Sequence, residues 1–306
     1  MWLGAHIGIS DGLAEAPAIG RRIGCESIQI FSKSPQMWKG PALPDEAAAG
    51  FAEAVRREGL RATAVHHGYL INLASPKKSM LAISRRTFVD ELQRAEKLGV
   101  DALIFHPGAH LKAGVEAGLR TLVESLNEAF AKTEGFRVRA LLENAAGQGT
   151  AMCSNLSELR QALDGVEMKG RAGVAIDTCH LFASGVDFRT DEQYAGWVDR
   201  VDRELGREEI RAFHLNDAKA AMGSHLDRHE NIGKGEIGLE GFAHFVNDPR
   251  WAGVPGYLET PLEHDDYAAY VADLAALRGL LKPTAEAAER TLSGPRSRRS
   301  RSGTSS

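Results

Sequence analysis

The feature that most constrains this chain is an eightfold alternation of two kinds of segment. Short apolar runs read as strands at residues 3–7, 27–31, 62–66, 102–106, 138–143, 173–177, 210–215 and 256–259. Segments in which apolar residues recur every three to four positions read as helices at 13–23, 45–58, 80–98, 115–131, 156–163, 191–205 and 239–247, with a last one from about 265 to 281. Strands that alternate with helices pair in parallel, because each helix supplies the crossover a parallel pair needs. Eight such units in one uninterrupted stretch predict an α/β protein, a single (β/α)8 TIM barrel over residues 1–282.

Residues 283–306 change character. They are rich in Ser, Arg and Gly, hold almost nothing apolar and are expected to be disordered. Five Arg against two Glu give this tail a charge of +3. A solvated tail is the plain expectation; an arm adding nonspecific affinity for a polyanion is the sharper one.

Chemistry enters with the residues that end the strands. In order these are His66, His106, Glu143, Asp177, His214 and Glu259, with His180 just past one strand. The stretch after the seventh strand, HLNDAKAAMGSHLDRH, adds Asp227 and His229. All are metal-ligand types, and in a parallel barrel every strand's C-terminal end opens on the same face. Residues spread over roughly 190 positions therefore converge on one cup.

Each residue has a plain structural alternative. A histidine at a strand end is commonly just hydrogen-bonded, and an Asp there commonly caps a helix, as Asp177 before Thr178 would. Four acids in one pocket, however, repel one another unless cations neutralise them, so the joint pattern favours metal. His66 and His67 are neighbours on an extended segment, so only one can face the barrel axis. His106 and His110 are separated by a turn at Pro107 and Gly108. His225, His244 and His264 are expected at the surface, and His6 as a buried residue behind the site.

The formal charge of −4 argues against a basic nucleic-acid face, but three divalent ions would move that sum to +2. Three widely spaced cysteines imply no disulfide framework, and a reducing compartment is expected. With no export-type N-terminal segment and no apolar run of membrane length, the expectation is a soluble cytoplasmic protein with no membrane association.

Several segments together resemble the endonuclease IV family of apurinic/apyrimidinic endonucleases. They are VHHGYLINLAS (65–75), FHPGAH (105–110), LLENAAGQG (141–149), IDTCHLFASGVD (176–187), HLNDAKAAMGSHLDRHENIGKGEIG (214–238) and YLET (257–260). The resemblance runs from GAHIG at Gly4 to YLET and leaves out only the tail. It implies about three zinc ions: His66, His106 and Glu143 on one; Glu143, Asp177, His214 and Glu259 on a second; His180, Asp227 and His229 on a third. Glu143 would bridge two ions, and Glu143 and Glu259 would be the catalytic carboxylates. It also selects His66 and His106 from the ambiguous histidines. Manganese or iron could replace zinc at the oxygen-rich positions.

The activity implied is that of a hydrolase of the deoxyribonuclease IV (phage-T4-induced) type, acting in base excision repair. It would cut double-stranded DNA 5′ to abasic sites, leaving a 3′-hydroxyl and a 5′-deoxyribose phosphate, with 3′-phosphodiesterase activity in addition. Tyr69 and Leu70 match the loop positions with which the family fills the gap left by the missing base. At Gln36, in FSKSPQMW, the family often has Arg; Lys33 or Lys39 would then serve the DNA backbone. No obligate protein partner is inferred. Two other expectations are kept: a metal-dependent sugar isomerase or epimerase of the xylose-isomerase-like barrels, which has no use for the third ligand group, and a noncatalytic binder of damaged DNA.

Overall fold

The computed structural model describes residues 1–263 and 266–282. In chain order the elements are β1 (Trp2–Ile7), α1 (Ala16–Arg22), β2 (Ser27–Phe31), α2 (Asp45–Glu58), β3 (Ala62–His66), α3 (Lys78–Leu98), β4 (Ala102–Phe105) and α4 (Val115–Lys132). There follow β5 (Arg139–Glu143), α5 (Leu156–Gly165), β6 (Ala172–Asp177), α6 (Thr178–Ala183), α7 (Asp191–Glu204) and β7 (Ile210–His214). The last are β8 (Asp217–Ala218), β9 (His229–Glu230), α8 (Gly238–Asn247), β10 (Pro255–Leu258) and α9 (Ala268–Gly279). The tail and His264 lie outside the described residues, and so do the expectations stated for them.

Eight strands pair in parallel around a closed ring, β1-β10-β7-β6-β5-β4-β3-β2. Strand boundaries match the sequence pattern to within a residue or two. β4 stops at Phe105 because the next backbone N–H leaves the ladder: His106 N donates to Nε2 of His67 at 2.8 Å. Helix ends also follow the sequence. Gly59 and Gly99 adopt the left-handed conformation that terminates α2 and α3 (φ 67° and 71°), and Thr190 with Gln193 forms a capping box on α7.

Two elements were not expected. α6 is a single short helix directly after β6, and β8 pairs with β9 as an antiparallel hairpin, Ala218 opposite His229. The last helix begins at Ala268, three residues later than expected. Among the described residues no helix is long and apolar enough to cross a membrane.

The barrel interior explains why the strand ends converge. Ala64, Ile104, Leu141, Ala175, Ala212 and Tyr257 pack together inside the ring. Each lies two positions before His66, His106, Glu143, Asp177, His214 and Glu259 respectively. Because side chains alternate across a strand with a period of two, whatever puts the apolar residue on the axis puts the polar one on the axis a layer higher. The register agrees: His214 is level with Asp177 on one side and with Tyr257 on the other. The plug is thus the floor on which the polar residues stand.

Candidate metal centre

All nine side chains singled out at and beyond the strand ends meet at the barrel mouth. Three groups place their ligand-type atoms within 4.8 Å of one another: His66, His106 and Glu143; Glu143, Asp177, His214 and Glu259; and His180, Asp227 and His229. Glu143 belongs to two of them. It is fully buried, with Oε2 at 3.1 Å from His66 Nε2 and 3.4 Å from His106 Nδ1, and Oε1 at 3.0 Å from His214 Nδ1. Asp227 faces two rings at once, 3.2 Å from His180 Nε2 and 3.2 Å from His229 Nε2.

Asp177 fulfils both readings of its sequence position. It is the N-cap of α6, its Oδ1 accepting from His180 N at 2.8 Å, and its Oδ2 lies 3.6 Å from His229 Nε2. The cap thereby carries His180 into the site, one turn into a helix too short to show a repeat. The β8–β9 hairpin performs the same service for Asp227 and His229. Asp217 secures the chain after β9, accepting from the backbone N–H groups of Gly233, Gly235 and Ile237 at 2.9, 3.1 and 3.0 Å.

Supporting residues that carried no signal in the sequence hold the acids. Asn216 donates to Asp177 Oδ2 at 2.7 Å and accepts from Glu259 N at 2.8 Å, while Asn144 accepts from Asp177 N at 2.7 Å. Gln29, buried on β2, bridges His214 and Glu259.

The ambiguous histidines separate cleanly. His66 faces Glu143, whereas His67 turns beneath it and accepts from His106 N. Burial, with the neighbouring His66 and His106 rings, pushes the His67 pKa well below its ordinary range, so this ring is neutral and free to accept. His6 is half-buried behind Glu259 as expected, 3.7 Å from its Oε1. His225 is exposed; His244 is not, being half-buried and stacked on Tyr194 at 5.1 Å, so its expected surface position is corrected.

Charge in the site is strongly polarised. Burial opposes protonation of His214, but Glu259, Glu143 and Asp177 outweigh it and raise its pKa from 6.5 to about 9. His229 likewise rises to about 9 against burial, through Asp177 and Asp227. His180, also against burial, rises well above its ordinary value through the same two acids and Glu143. Burial of Glu143 is overcome by His106, His214 and His180, which hold it well below the carboxylate range. Asp227 is depressed in the same way by His180 and His229.

The donor set fits metal ions. The Nε2 atoms of His180 and His229 are buried and make no hydrogen bond, although each lies 3.2 Å from a carboxylate oxygen. Nitrogen and oxygen are thus close but not aligned along an N–H···O line, as expected of groups aimed at a common point between them. Asp177 and His229 also approach Cys179, whose thiol burial raises to about 12.

His66, His106, His180, Asp227, His229 and Glu259 line a cleft of about 270 Å³ whose walls include Phe31, Tyr69 and Tyr270, while Glu143, Asp177 and His214 are fully buried. Tyr69 is 65% exposed and Leu70 37%, both on the loop after β3. That loop presses on the one after β2, Tyr69 N donating to Pro35 O at 3.1 Å, and Gln36 stands exposed beside it. Lys33 is not available to a ligand: it is buried and ion-paired with Glu91, 3.4 Å from Asp90, bracing the loop against α3. Lys39 is exposed.

Residues 17–280 match the family model for xylose isomerase-like TIM barrels. A protein of Geobacter sulfurreducens named "Probable endonuclease 4" is 40% identical over 281 residues, covering 92% of this chain and 95% of its own. Endonuclease IV from Thermus thermophilus superimposes with a TM-score of 0.79 at 29% identity, covering 91% of this chain and all of its own. D-psicose 3-epimerase from Clostridium cellulolyticum, at 16% identity and a TM-score of 0.66 over 92% of this chain and all of its own, shares the fold alone. By sequence over nine-tenths of its length and by structure, the chain belongs to the endonuclease IV family of xylose isomerase-like TIM barrels.

Proposed function

We propose that this protein is a zinc-dependent DNA repair endonuclease that incises a duplex on the 5′ side of an abasic site and trims blocked 3′ ends by the same chemistry. The observation that carries the proposal is the gathering of nine ligand-type side chains into three groups at one barrel mouth, two of them sharing Glu143, with six of the nine lining one cleft. His66, His106 and Glu143 would hold one ion; Glu143, Asp177, His214 and Glu259 a second; and His180, Asp227 and His229 a third. The mixed imidazole and carboxylate set suits zinc, with manganese or iron able to substitute where oxygen dominates. Bound ions of this kind supply hydroxide near neutral pH and neutralise phosphoryl charge.

The chain's own residues do the rest. Glu143 and Glu259, both held ionised among imidazoles, orient the attacking water as hydrogen-bond acceptors. The water gives up a proton as its oxygen bonds to phosphorus, and the bond to the upstream 3′-oxygen breaks. That oxygen takes up a proton in exchange and leaves as the 3′-hydroxyl, with the phosphate on the 5′-deoxyribose. No protein nucleophile is required. Tyr69, Leu70 and Gln36 stand on the rim, where a duplex would rest and where Tyr69 and Leu70 can fill the space of a missing base.

A duplex with one tetrahydrofuran abasic analogue tests the proposal. Zinc-loaded protein is expected to cut once, 5′ to the analogue, leaving an end that a polymerase extends. An intact strand beside a working control enzyme would overturn it, and a shifted but uncut duplex would identify a binder instead.

A further inference from the structure

The five histidines of the proposed centre are not held alike. His66 Nδ1 bonds to the carbonyl of His67 at 2.8 Å, His180 Nδ1 to that of Asn144 at 2.9 Å, and His229 Nδ1 to that of Glu259 at 3.1 Å. A carbonyl only accepts, so each of these rings must carry its hydrogen on Nδ1 and keep its lone pair on Nε2, which faces Glu143 in His66 and Asp227 in His180 and His229; the His180 Nδ1 also lies 3.3 Å from Glu143 Oε1. His214 is reversed. Its Nδ1 faces Glu143 Oε1 at 3.0 Å and Glu259 Oε2 at 3.3 Å, and its outer nitrogen, Nε2, meets the Gln29 side chain at 2.9 Å.

The amide of Gln29 can be oriented from its partners. Its nitrogen lies 2.6 Å from Glu259 Oε1, and an ionised carboxylate can only accept, so this end must be the NH2 group. The second hydrogen goes to His6 Nδ1 at 2.9 Å. The amide oxygen therefore faces His214, whose Nε2 must donate to it. That leaves the lone pair of His214 on Nδ1, on the side where the acids gather. All three contacts are made by a side chain that is fully buried on β2, a strand that contributes none of the nine ligand-type residues.

We propose that Gln29 is a positioning residue for the second cation of the centre, the one assigned to Glu143, Asp177, His214 and Glu259. It selects the His214 tautomer that presents Nδ1, and it occupies one oxygen of Glu259 so that the other is presented beside it. This rests on the metal-centre reading above. For His66, His180 and His229 the corresponding task falls to the main chain, so of these four rings His214 is the one whose orientation can be changed by a side-chain substitution, at Gln29.

The test uses metal content and NMR together. In zinc-loaded wild type, nitrogen-15 spectra of the His214 ring should show a protonated Nε2 and a metal-bound Nδ1. Competition with a chelator should show one of about three ions bound about 10- to 100-fold more weakly in Gln29→Leu and in Gln29→Met, neither of which can hydrogen-bond to His214 or Glu259. The other two ions should be retained, and the metal-free melting temperature of Gln29→Met checks that the fold persists. Wild-type His214 bound through Nε2, or both variants holding every ion with wild-type affinity, would overturn the inference and leave the metal centre standing. A wild-type protein that takes up no metal would overturn the centre itself.

Discussion

At the scale of single residues, Glu143 carries the most. It is fully buried and lies in two ligand groups. Glu143→Gln keeps the shape but removes the charge, and incision of an abasic duplex is expected to fall by at least ~100-fold with weakened metal binding. Single-turnover cleavage checks this; equal rates would remove Glu143 from the bridging role. Lys33→Ala should act differently. It strands Glu91 without its partner, at a cost of about 3–5 kcal/mol by denaturant unfolding, and any loss of DNA binding should follow from that destabilisation. The strand-end acids and histidines were legible because ligand types recurred at the one position where a parallel barrel converges. Gln29, Asn144 and Asn216 were not, since an amide looks the same in sequence whether it props a ligand or faces water. Asp177 was legible twice over, as cap and as ligand type, and the structure shows that the cap geometry leaves its second oxygen for the site.

At the scale of elements, the strands and long helices were legible because each has a repeat long enough to read. α6 and the β8–β9 hairpin were not. α6 has six residues, all buried, and so lacks an amphipathic period, while the hairpin strands have two residues each. Their positions are set by Asp177 and Asp217 through tertiary contacts. The rim loops after β2 and β3 lean on one another through Pro35 and Tyr69, so they should act on DNA as a unit. Tyr69→Ala removes an exposed side chain and should cost less than about 1 kcal/mol of stability while lowering abasic incision about tenfold. A variant that cuts normally would take Tyr69 out of recognition. Gln36→Arg adds one cation to the same rim. It should tighten binding to an abasic duplex and steepen the logarithmic salt dependence by about 0.9, measured by anisotropy from low to moderate salt. An unchanged slope would mean that residue 36 does not meet the backbone.

At the scale of the whole molecule, the barrel brings together buried acids and histidines that, without metal, can balance only by holding protons. His214 and His229, raised from 6.5 to about 9, contribute stability that is fully present below pH 6.5 and lost as pH rises to about 9. Glu143 and Asp227 are depressed, so their contribution is present above the ordinary carboxylate range and lost as pH falls below it. Metal-free protein should therefore lose melting temperature as pH rises from about 6.5 toward 9, whereas zinc, which replaces those protons, should abolish the alkaline decline. A metal-free melting temperature that is flat over pH 6.5 to 9 would mean that the histidines are not paired with the acids. The central claim, that the three groups form one centre and that this centre cuts DNA, is tested most directly by measuring metal content and abasic-duplex cleavage on the same purified sample. About three ions per chain, with incision lost on chelation and restored by zinc, is the predicted result. A protein that is empty of metal and cuts at full rate, or fully loaded and leaves the strand intact, would contradict it.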